Sequence, residues 1–330
     1  MKKAIFITGP TASGKTDLSL YLAERIEGEI INADSRQVYK YFDYGSGKVE
    51  FKKRERVIRF KNKKIKIFFS KKYGIPHYLF NTISPWNNYS LGRWLKEVEI
   101  VSDYIIKNNK KIILCGGTVL YLRALKEGWV LPNVKPNLEL RKKFEKYDNN
   151  YLYEMLVILD KNRASEIDRK NKRRIIRALE ILYQLKEVPP VYRKNKYNLL
   201  IISPYVEWYI LEKKIKNRLK KRSSKIIKEI IKLKELGLSY KRVISFGLEY
   251  KWFGIFVKNN YKFFKKIKKF DFKNLYKIKE FQYIFENCYK DILRFAKRQI
   301  KEIRKIDKVW WISNKKEALK LCQQFYSKDY

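Results

Sequence analysis

The segment from Gly9 to Thr16 constrains the fold of this chain more than any other part of its sequence. Read in full it is Gly9-Pro10-Thr11-Ala12-Ser13-Gly14-Lys15-Thr16, which fits the pattern G-x-x-x-x-G-K-[ST]. The apolar run Ala4 to Ile7 precedes it, and apolar residues follow at helical spacing: Leu18, Tyr21, Leu22 and Ile26. Strand, glycine-rich loop and helix in this order predict a phosphate-binding turn at one edge of a parallel sheet.

Such a turn has a defined chemistry. Its backbone N–H groups converge on phosphate oxygens, and the helix that follows adds the positive end of its dipole. Lys15 supplies a cation, and the hydroxyl of Thr16 can ligate Mg²⁺. The loop can hold a nucleotide, but it can equally hold a diphosphate that leaves as one unit.

Further strands alternate with helical patterns along the chain. Strand character recurs in four segments: Glu29–Ala33, Lys111–Cys115, Leu199–Ile202 and Val309–Ile312. Strands and helices in alternation predict an α/β fold, here a P-loop NTPase-like parallel sheet flanked by helices. Two short β-like runs, 57–60 and 65–68, flank the basic residues 61–64 and predict a basic hairpin inserted into this core.

The segment 119–198 has a different pattern. It is helical without convincing strands, and it predicts a helical insertion domain. Residues 1–118 and 199–330 then form the α/β core. The C-terminal part of that core is helical and basic, with Arg294, Lys297, Arg298 and Lys301 near the end of one amphipathic helix.

Charge indicates the class of partner. Lysine and arginine number 77 against 34 acidic residues, a formal net charge of +43. Such an excess attracts a polyanion through counterion release, although an A/T-rich genome, which fills solvent-facing positions with lysine, could also supply part of it. Three cysteines at wide spacing and a single histidine exclude a zinc knuckle or a disulfide framework, and no stretch reaches the ~18 apolar residues of a membrane helix. We expect a cytoplasmic protein without a membrane partner.

Asp34 follows the second strand, in Asn32-Ala33-Asp34-Ser35-Arg36-Gln37-Val38-Tyr39. Carboxyl ends of adjacent parallel strands face one crevice, so Asp34 should lie beside the glycine loop. It could accept or orient a proton of an attacking amine, or it could serve as a turn or helix-capping acid. The strand Lys111–Cys115 ends in Gly116-Gly117-Thr118 without the acid that orients the metal in nucleotide hydrolases, which weakens an ATPase interpretation.

Four motifs in this order carry a resemblance: GPTASGKT, NADSRQVY, CGGTVLYLRAL and NKRRIIRALEILY. Together they resemble the bacterial tRNA dimethylallyltransferase family, and residues 291–300 are similar to the family's AKRQ helix. The resemblance implies transfer of a dimethylallyl group from dimethylallyl diphosphate to N6 of adenosine 37, beside the anticodon of tRNAs that read codons beginning with U. The base would be flipped out of its stack, and diphosphate and N6-dimethylallyladenosine would be released.

The resemblance also assigns roles by position. The catalytic group would be Asp34, Lys15, Thr16 and Thr118, with Mg²⁺ on Thr16 as the cofactor. The donor diphosphate or a nucleotide would be held by Gly9, Pro10, Thr11, Ala12, Ser13, Gly14, Lys15, Thr16 and Arg141. The tRNA anticodon stem-loop would contact Asp34, Ser35, Arg36, Gln37, Thr118, Arg141, Arg173, Arg174, Ile175, Ile176 and Arg177. We expect the protein to act as a monomer.

The arginine row and the single histidine both have a simpler interpretation in the sequence itself. Arg173, Arg174 and Arg177 fall on one helix face by their spacing, yet a basic face can also be merely solvated. His77 has no evident orienting partner and is expected to be structural. A P-loop kinase of small molecules or nucleosides is the second hypothesis, and an RNA-binding or ATP-gated module is the third.

Overall fold

Strand β1 alternates its side chains between two apolar layers, and this alternation organises the first part of the molecule. The computed structural model describes residues 1–186, 189, 192–266 and 272–327. In β1 (Lys2–Ile7), Ala4 and Phe6 face one cluster while Ile5 and Ile7 face the other. A strand buried on both faces is the mark of a sheet covered by helices on both sides.

The described residues contain ten strands: β1 (Lys2–Ile7), β2 (Gly28–Asn32), β3 (Phe51–Phe60), β4 (Lys63–Ser70), β5 (Pro76–Tyr78), β6 (Lys111–Cys115), β7 (Trp129–Val130), β8 (Tyr192–Arg193), β9 (Tyr197–Pro204) and β10 (Val309–Ile312). Eight of them form one sheet in the order β10-β9-β1-β6-β2-β5-β4-β3. The strands from β10 to β5 in this order run parallel, whereas β4 is antiparallel to both of its neighbours. This confirms the predicted α/β class with a mostly parallel sheet.

The helices in the same part of the chain are α1 (Lys15–Arg25), α2 (Leu91–Lys107), α3 (Val119–Lys126), α4 (Leu138–Glu145), α5 (Asn149–Leu159), α6 (Lys161–Ser165), α7 (Lys172–Leu185), α8 (Trp208–Glu235), α9 (Tyr240–Ser245), α10 (Leu248–Lys266), α11 (Lys279–Arg304) and α12 (Lys315–Ser327), with a 3-10 helix at Phe272–Lys277. Side chains of α1 and α12 pack on one face of the sheet, and those of α2 and α3 on the other. Within the described ranges, none of these helices is long and apolar enough to cross a membrane.

The basic hairpin, Phe51–Ser70, forms as predicted and extends one edge of the sheet. Its connection is shorter than the predicted four residues, because β3 and β4 continue to Phe60 and Lys63. The two remaining residues, Lys61 and Asn62, both have positive φ, which suits a two-residue turn between twisted strands. The ring of Phe60 packs against Tyr104 of α2, so the hairpin is anchored to the core.

A third apolar cluster lies among α8, α10 and α11, and it also takes residues from the segment after β2. Its buried members include Leu211, Ile215, Ile230, Tyr250, Phe253, Phe281, Ile284 and Ile292, together with Val38 and Phe42. The C-terminal helices therefore pack against the chain that follows Asp34. This packing supports the segment that contains Val38 and Phe42.

The chain divides into two compact units, 1–126 with 195–330, and 127–194. The helix α3 belongs to the first unit, whereas we had expected the insertion to begin at residue 119. The reason is that Tyr121 stacks on Trp94 with ring centroids 4.2 Å apart, and Leu122 is buried in the cluster beneath the sheet. The second unit contains α4 to α7 around an apolar core, and it also has a two-stranded sheet of β7 and β8 that the sequence did not indicate.

Candidate active site at the carboxyl edge of the sheet

The glycine loop joins the end of β1 to the start of α1. Gly14 precedes the first helical residue with φ of +93°, a left-handed conformation that glycine adopts without steric cost. No side chain of the described residues caps α1 at this point. The first backbone N–H groups of the helix therefore have no side-chain cap there, as in helix N-termini that bind anions.

Lys15 is folded back onto the loop that carries it. Its Nζ donates to the carbonyl oxygens of Gly9, at 2.9 Å, and Pro10, at 2.7 Å. Burial, with a smaller contribution from the nearby Arg218, lowers the pKa of Lys15 to about 8, while Cys115 and Asp34 act in the opposite direction. A lysine with this pKa changes charge within the range in which enzymes work.

Asp34 stands directly beyond the end of β2 and is held by its own neighbours. Its backbone N–H donates to Asn32 Oδ1 at 2.9 Å, and its Oδ1 accepts the N–H of Arg36 at 2.9 Å. Within the described part of the chain, Oδ2 takes no hydrogen bond. The turn therefore fixes the carboxylate through one oxygen and leaves the other oxygen able to accept a hydrogen bond.

Thr118 connects the turn after β6 to the turn after β2. Its Oγ1 accepts the N–H of Ser35 at 3.0 Å and lies 3.3 Å from Ser35 Oγ. Gly116 permits this approach, because a Cβ at that position would overlap the backbone of Ala33 and lie 2.6 Å from the Asp34 nitrogen. The loops after β1, β2 and β6 thus meet at one edge of the sheet.

Three arginines share one buried carboxylate beside this edge, a feature that sequence reasoning missed. Glu249 pairs with Arg36 at 3.4 Å and with Arg218 at 3.6 Å, and Arg222 lies near enough to interact with both Glu249 and Arg218. Burial, followed by the repulsion of Arg218, lowers the pKa of Arg222 to about 10. The only sequence signal was the four-residue spacing of two arginines on the long helix α8.

Gln37, a predicted RNA contact, is occupied within the protein. Its Nε2 donates to the carbonyl oxygens of Ser46 and Gly47 at 3.1 and 3.4 Å. The same loop is pinned from the other side, because Glu229 of α8 accepts the N–H groups of Asp43 and Tyr44. Gln37 therefore helps to hold the loop 43–48 in place, and its Nε2 is already hydrogen-bonded within the protein.

Arg141 and Arg177, both predicted to bind substrate, meet on Glu180 in the second unit. Arg141 binds the carboxylate in a bidentate manner, at 2.9 and 2.7 Å, and Arg177 donates to Oε2. Burial alone would raise the pKa of Glu180, but the hydrogen bonds from Arg141, Arg177 and the Asn137 backbone hold it below its usual value. With two arginines and one glutamate, the cluster of Arg141, Arg177 and Glu180 carries a net positive charge.

The predicted RNA-binding segment 173–177 has exposed and buried residues in the structure. Arg173 and Arg174 are exposed. Ile175 and Ile176 are 0% and 3% exposed and belong to the apolar core of the second unit. Their side chains cannot contact RNA in this conformation, which corrects that part of the prediction, since helical periodicity turns the two isoleucines inward.

The last features of the site to consider are His77 and the side chains that could bind a metal ion. His77 is 1% exposed, its Nδ1 lies 2.8 Å from the Ile75 carbonyl oxygen, and burial lowers its pKa to about 4. A neutral, buried histidine on β5 is a structural residue. Within the described ranges no group of three or more histidine, cysteine or acidic side chains could hold a metal ion.

A mostly parallel sheet with a glycine loop, a carboxylate and a threonine on adjoining strand ends defines an α/β protein with a candidate site at the carboxyl edge of its sheet. Comparison with known proteins shows the family to which this α/β protein belongs. The IPP transferase family model matches residues 37–306, and the chain belongs to that family. A tRNA dimethylallyltransferase of Acetivibrio thermocellus is 31% identical over 324 residues, covering 95% of this chain and 92% of that protein.

Solved structures have the same fold. A tRNA delta(2)-isopentenylpyrophosphate transferase of Staphylococcus epidermidis superimposes with a TM-score of 0.62 at 25% identity, and the match covers 100% of both chains. A eukaryotic dimethylallyltransferase, solved acting on tRNA, gives a TM-score of 0.75 over 99% of this chain and 80% of its own. Because the identity to this eukaryotic protein is 22%, the likeness supports the fold alone. None of these relatives supports the kinase hypothesis.

Proposed function

We propose that this chain transfers a dimethylallyl group from dimethylallyl diphosphate to N6 of the adenosine beside the anticodon of tRNA. Membership of the IPP transferase family and the similarity to a tRNA dimethylallyltransferase support the reaction class. The observation that carries the proposal is the meeting of three loops. Asp34, after β2, lies close enough to Lys15, after β1, for its charge to oppose the lowering of the Lys15 pKa by burial. Thr118, after β6, accepts a hydrogen bond from Ser35, the residue next to Asp34.

In the proposed step, adenine N6 attacks carbon C1 of the donor, and the bond from C1 to the diphosphate oxygen breaks. The electron pair of that bond leaves with the diphosphate, and the proton lost from N6 passes to Asp34. A carboxylate fixed through Oδ1 has Oδ2 available as acceptor, and the turn holds its direction. Because N6 is a poor nucleophile, much of the acceleration would come from orienting it towards C1.

Charge on the departing diphosphate would be met by Lys15 and by the N–H groups at the start of α1. Lys15 would exchange the carbonyl oxygens of Gly9 and Pro10 for phosphate oxygens. In the loop, the hydroxyl of the half-buried Thr16 would suit Mg²⁺, which commonly takes one or two protein oxygens, substrate phosphates and water. When bound, Mg²⁺ would neutralise part of the leaving-group charge.

Two surfaces would attract the RNA backbone. The exposed Arg173 and Arg174 stand at the start of α7 in the second unit. In the first unit, α11 exposes Arg294, Lys297, Arg298 and Lys301. Contacts of this kind are sequence-independent and weaken with salt, so they would supply affinity, whereas the pocket at Asp34 would supply the choice of base.

One assay tests the proposal. Purified protein is incubated with tRNA lacking the modification and with dimethylallyl diphosphate, with and without ATP, and the mass of the RNA is followed. We expect one prenyl group per tRNA in the absence of ATP. Phosphate transfer from ATP to a small acceptor would instead establish a kinase, and RNA binding without any change of mass would establish a binding module.

A tRNA with guanosine in place of the target adenosine serves as the control substrate. Guanosine lacks the N6 amine, so no mass gain is expected even though the phosphate contacts are unchanged. Equal modification of both RNAs would contradict the proposed acceptor.

A further inference from the structure

Gln299 lies deep in the first unit, where α11 passes beneath the site. Its side chain is buried, with 5% of the residue exposed. Oε1 accepts the backbone N–H of Thr11 at 2.9 Å, and Nε2 donates to the carbonyl oxygen of Gly117 at 2.8 Å. One carboxamide therefore joins the glycine loop after β1 to the turn after β6.

The orientation of this carboxamide is fixed by chemistry. Thr11 offers a donor and Gly117 offers an acceptor, so a flipped amide would place N–H against N–H and oxygen against oxygen. A buried polar group without a partner is costly, and the hydrogen bond to Gly117 is buried. Gln299 thus sets the distance between the two segments.

The fit is close on the side of Gly117. A Cβ at that position would lie 2.6 Å from Gln299 Nε2, 3.7 Å from the Gly9 carbonyl oxygen and 3.8 Å from Lys15 Cε. The glycine loop, the turn before Thr118 and the end of α11 therefore converge at one point. A shift of Gln299 would be transmitted to Lys15 and Thr118 together.

We propose that Gln299 is a positioning residue for the donor diphosphate, holding Thr11 as the fixed end of the loop and keeping the loop in register with Thr118. This inference rests on the proposed function. It also revises the role of Thr11, whose N–H serves Gln299 and leaves the phosphate to the amides that follow it in the loop and at the start of α1. The residue acts through the loop and does not touch the reacting atoms.

Two variants of matched size separate the contacts. Gln299→Met keeps the length of the side chain and removes both hydrogen bonds. Gln299→Glu keeps the bond from Thr11 but cannot donate to Gly117, and it adds a negative charge near the anion. Gln324→Met, on an exposed position of α12, is the control for the same exchange on a helix surface.

The measurements are the Kd for inorganic diphosphate by calorimetry, the KM for dimethylallyl diphosphate and for tRNA, and kcat at saturating donor. Gln299→Met is expected to weaken diphosphate binding and raise the donor KM about tenfold, the size expected for buried hydrogen bonds. Its tRNA KM and saturating kcat should change less than about threefold, since Thr118 keeps its own hydrogen bond to Ser35 on the acceptor side. Gln299→Glu should bind diphosphate more weakly still, and Gln324→Met should behave as the wild type.

Two results would overturn the inference. One is equal diphosphate affinity of the wild type and Gln299→Met. The other is a variant whose thermal stability falls while the KM values of both substrates and kcat worsen alike, as for a purely structural residue. Absence of prenyl transfer by the wild-type protein would instead overturn the proposed function, and the diphosphate titration keeps the two failures apart.

Discussion

Thr118 accepts the backbone N–H of Ser35 through its hydroxyl oxygen at 3.0 Å, and this bond ties the turn after β6 to the turn after β2. The two residues are 83 positions apart in sequence. Because Ser35 follows Asp34 directly, the threonine also limits where the carboxylate can stand. A residue that the family resemblance marks as a substrate contact therefore has a second task within the protein.

Replacing Asp34 by asparagine should abolish most turnover and leave tRNA affinity intact. Asparagine keeps the shape of the side chain and can still accept the N–H of Arg36, but it cannot take the proton from N6. We expect kcat to fall at least roughly 100-fold, a typical contribution of general base catalysis. Single-turnover kinetics and tRNA filter binding measure the two effects separately.

An equal loss of tRNA binding and turnover would show that Asp34 is a folding residue. Asp43→Asn is the matched control, since Asp43 lies on the same stretch and its carboxylate contacts Lys48 at 2.9 Å. That variant should retain turnover within a few-fold.

Gly116→Ala should destabilise the first unit and impair the site. The new methyl group would overlap the backbone of Ala33 and press on the Asp34 nitrogen, and backbone atoms cannot move aside as a flexible side chain can. Overpacking of this kind costs about 1–3 kcal/mol or more, which thermal or urea unfolding detects. Residual folded protein should show a reduced kcat because Asp34 is displaced.

Gly237→Ala provides the comparison for this variant. Gly237 has φ of +86° after the end of α8, and a Cβ there would meet nothing within 4 Å. Its cost is restricted to backbone strain, about 1 kcal/mol, and kcat should stay at the wild-type value. A variant at Gly116 that is as mild as this one would show that the close approach to Ala33 can relax.

Binding of diphosphate should weaken as the pH rises above about 8. Burial lowers the pKa of Lys15 in the free protein to about 8, so above this pH the lysine is neutral and must take up a proton when the anion arrives. Linkage then predicts that Kd rises up to about tenfold per pH unit until the pKa of the bound state is reached. Calorimetry in buffers of different ionisation enthalpy should reveal the proton uptake.

Lys15→Arg is the control for this pH dependence. A guanidinium stays charged throughout the range, so proton uptake between pH 8 and 9.5 should vanish even if overall affinity changes. An unaltered profile in the variant would assign the titration to another group.

Glu180→Gln should loosen the second unit at neutral pH. The pKa of Glu180 is held below its ordinary value, so its stabilising effect is present above the unfolded pKa, near 4.5. It is lost as the pH falls through the folded value. Removing one partner of a buried ion pair costs about 3 kcal/mol, and hydrogen exchange of peptides from 138–185 measures the loss.

Glu166→Gln tests whether burial is the cause. Glu166 also pairs with an arginine, Arg163, but its side chain is 64% exposed. Neutralising an exposed pair should change stability by less than about 1 kcal/mol. A similar effect of both substitutions would refute the special role of Glu180.

Local patterns predicted much of this architecture. The run before Gly9, the periodicity after Thr16 and the strand before Cys115 all correspond to elements of the structure, because short apolar runs and helical spacing are set by nearby residues. Asp34 could be expected beside the loop for a topological reason, since parallel strands end at one edge.

Long-range pairings could not be predicted in this way. Nothing in the sequence around Gln299 indicates Thr11, 288 residues away, and nothing near Glu249 indicates Arg36. Glu180 looks like any acid on an amphipathic helix until the fold brings Arg141 to it. The burial of Ile175 and Ile176 was available from periodicity alone, and the family pattern outweighed it.

Lys15 donates through Nζ to two carbonyl oxygens of its own loop, and this bears on which anions the loop can bind. An arriving anion must replace both bonds before it gains contact with the ammonium group. A singly charged carboxylate recovers little more than it displaces, whereas a diphosphate brings several charged oxygens to the same loop. We therefore expect the loop to favour a multiply charged anion over the abundant monoanions of a cell.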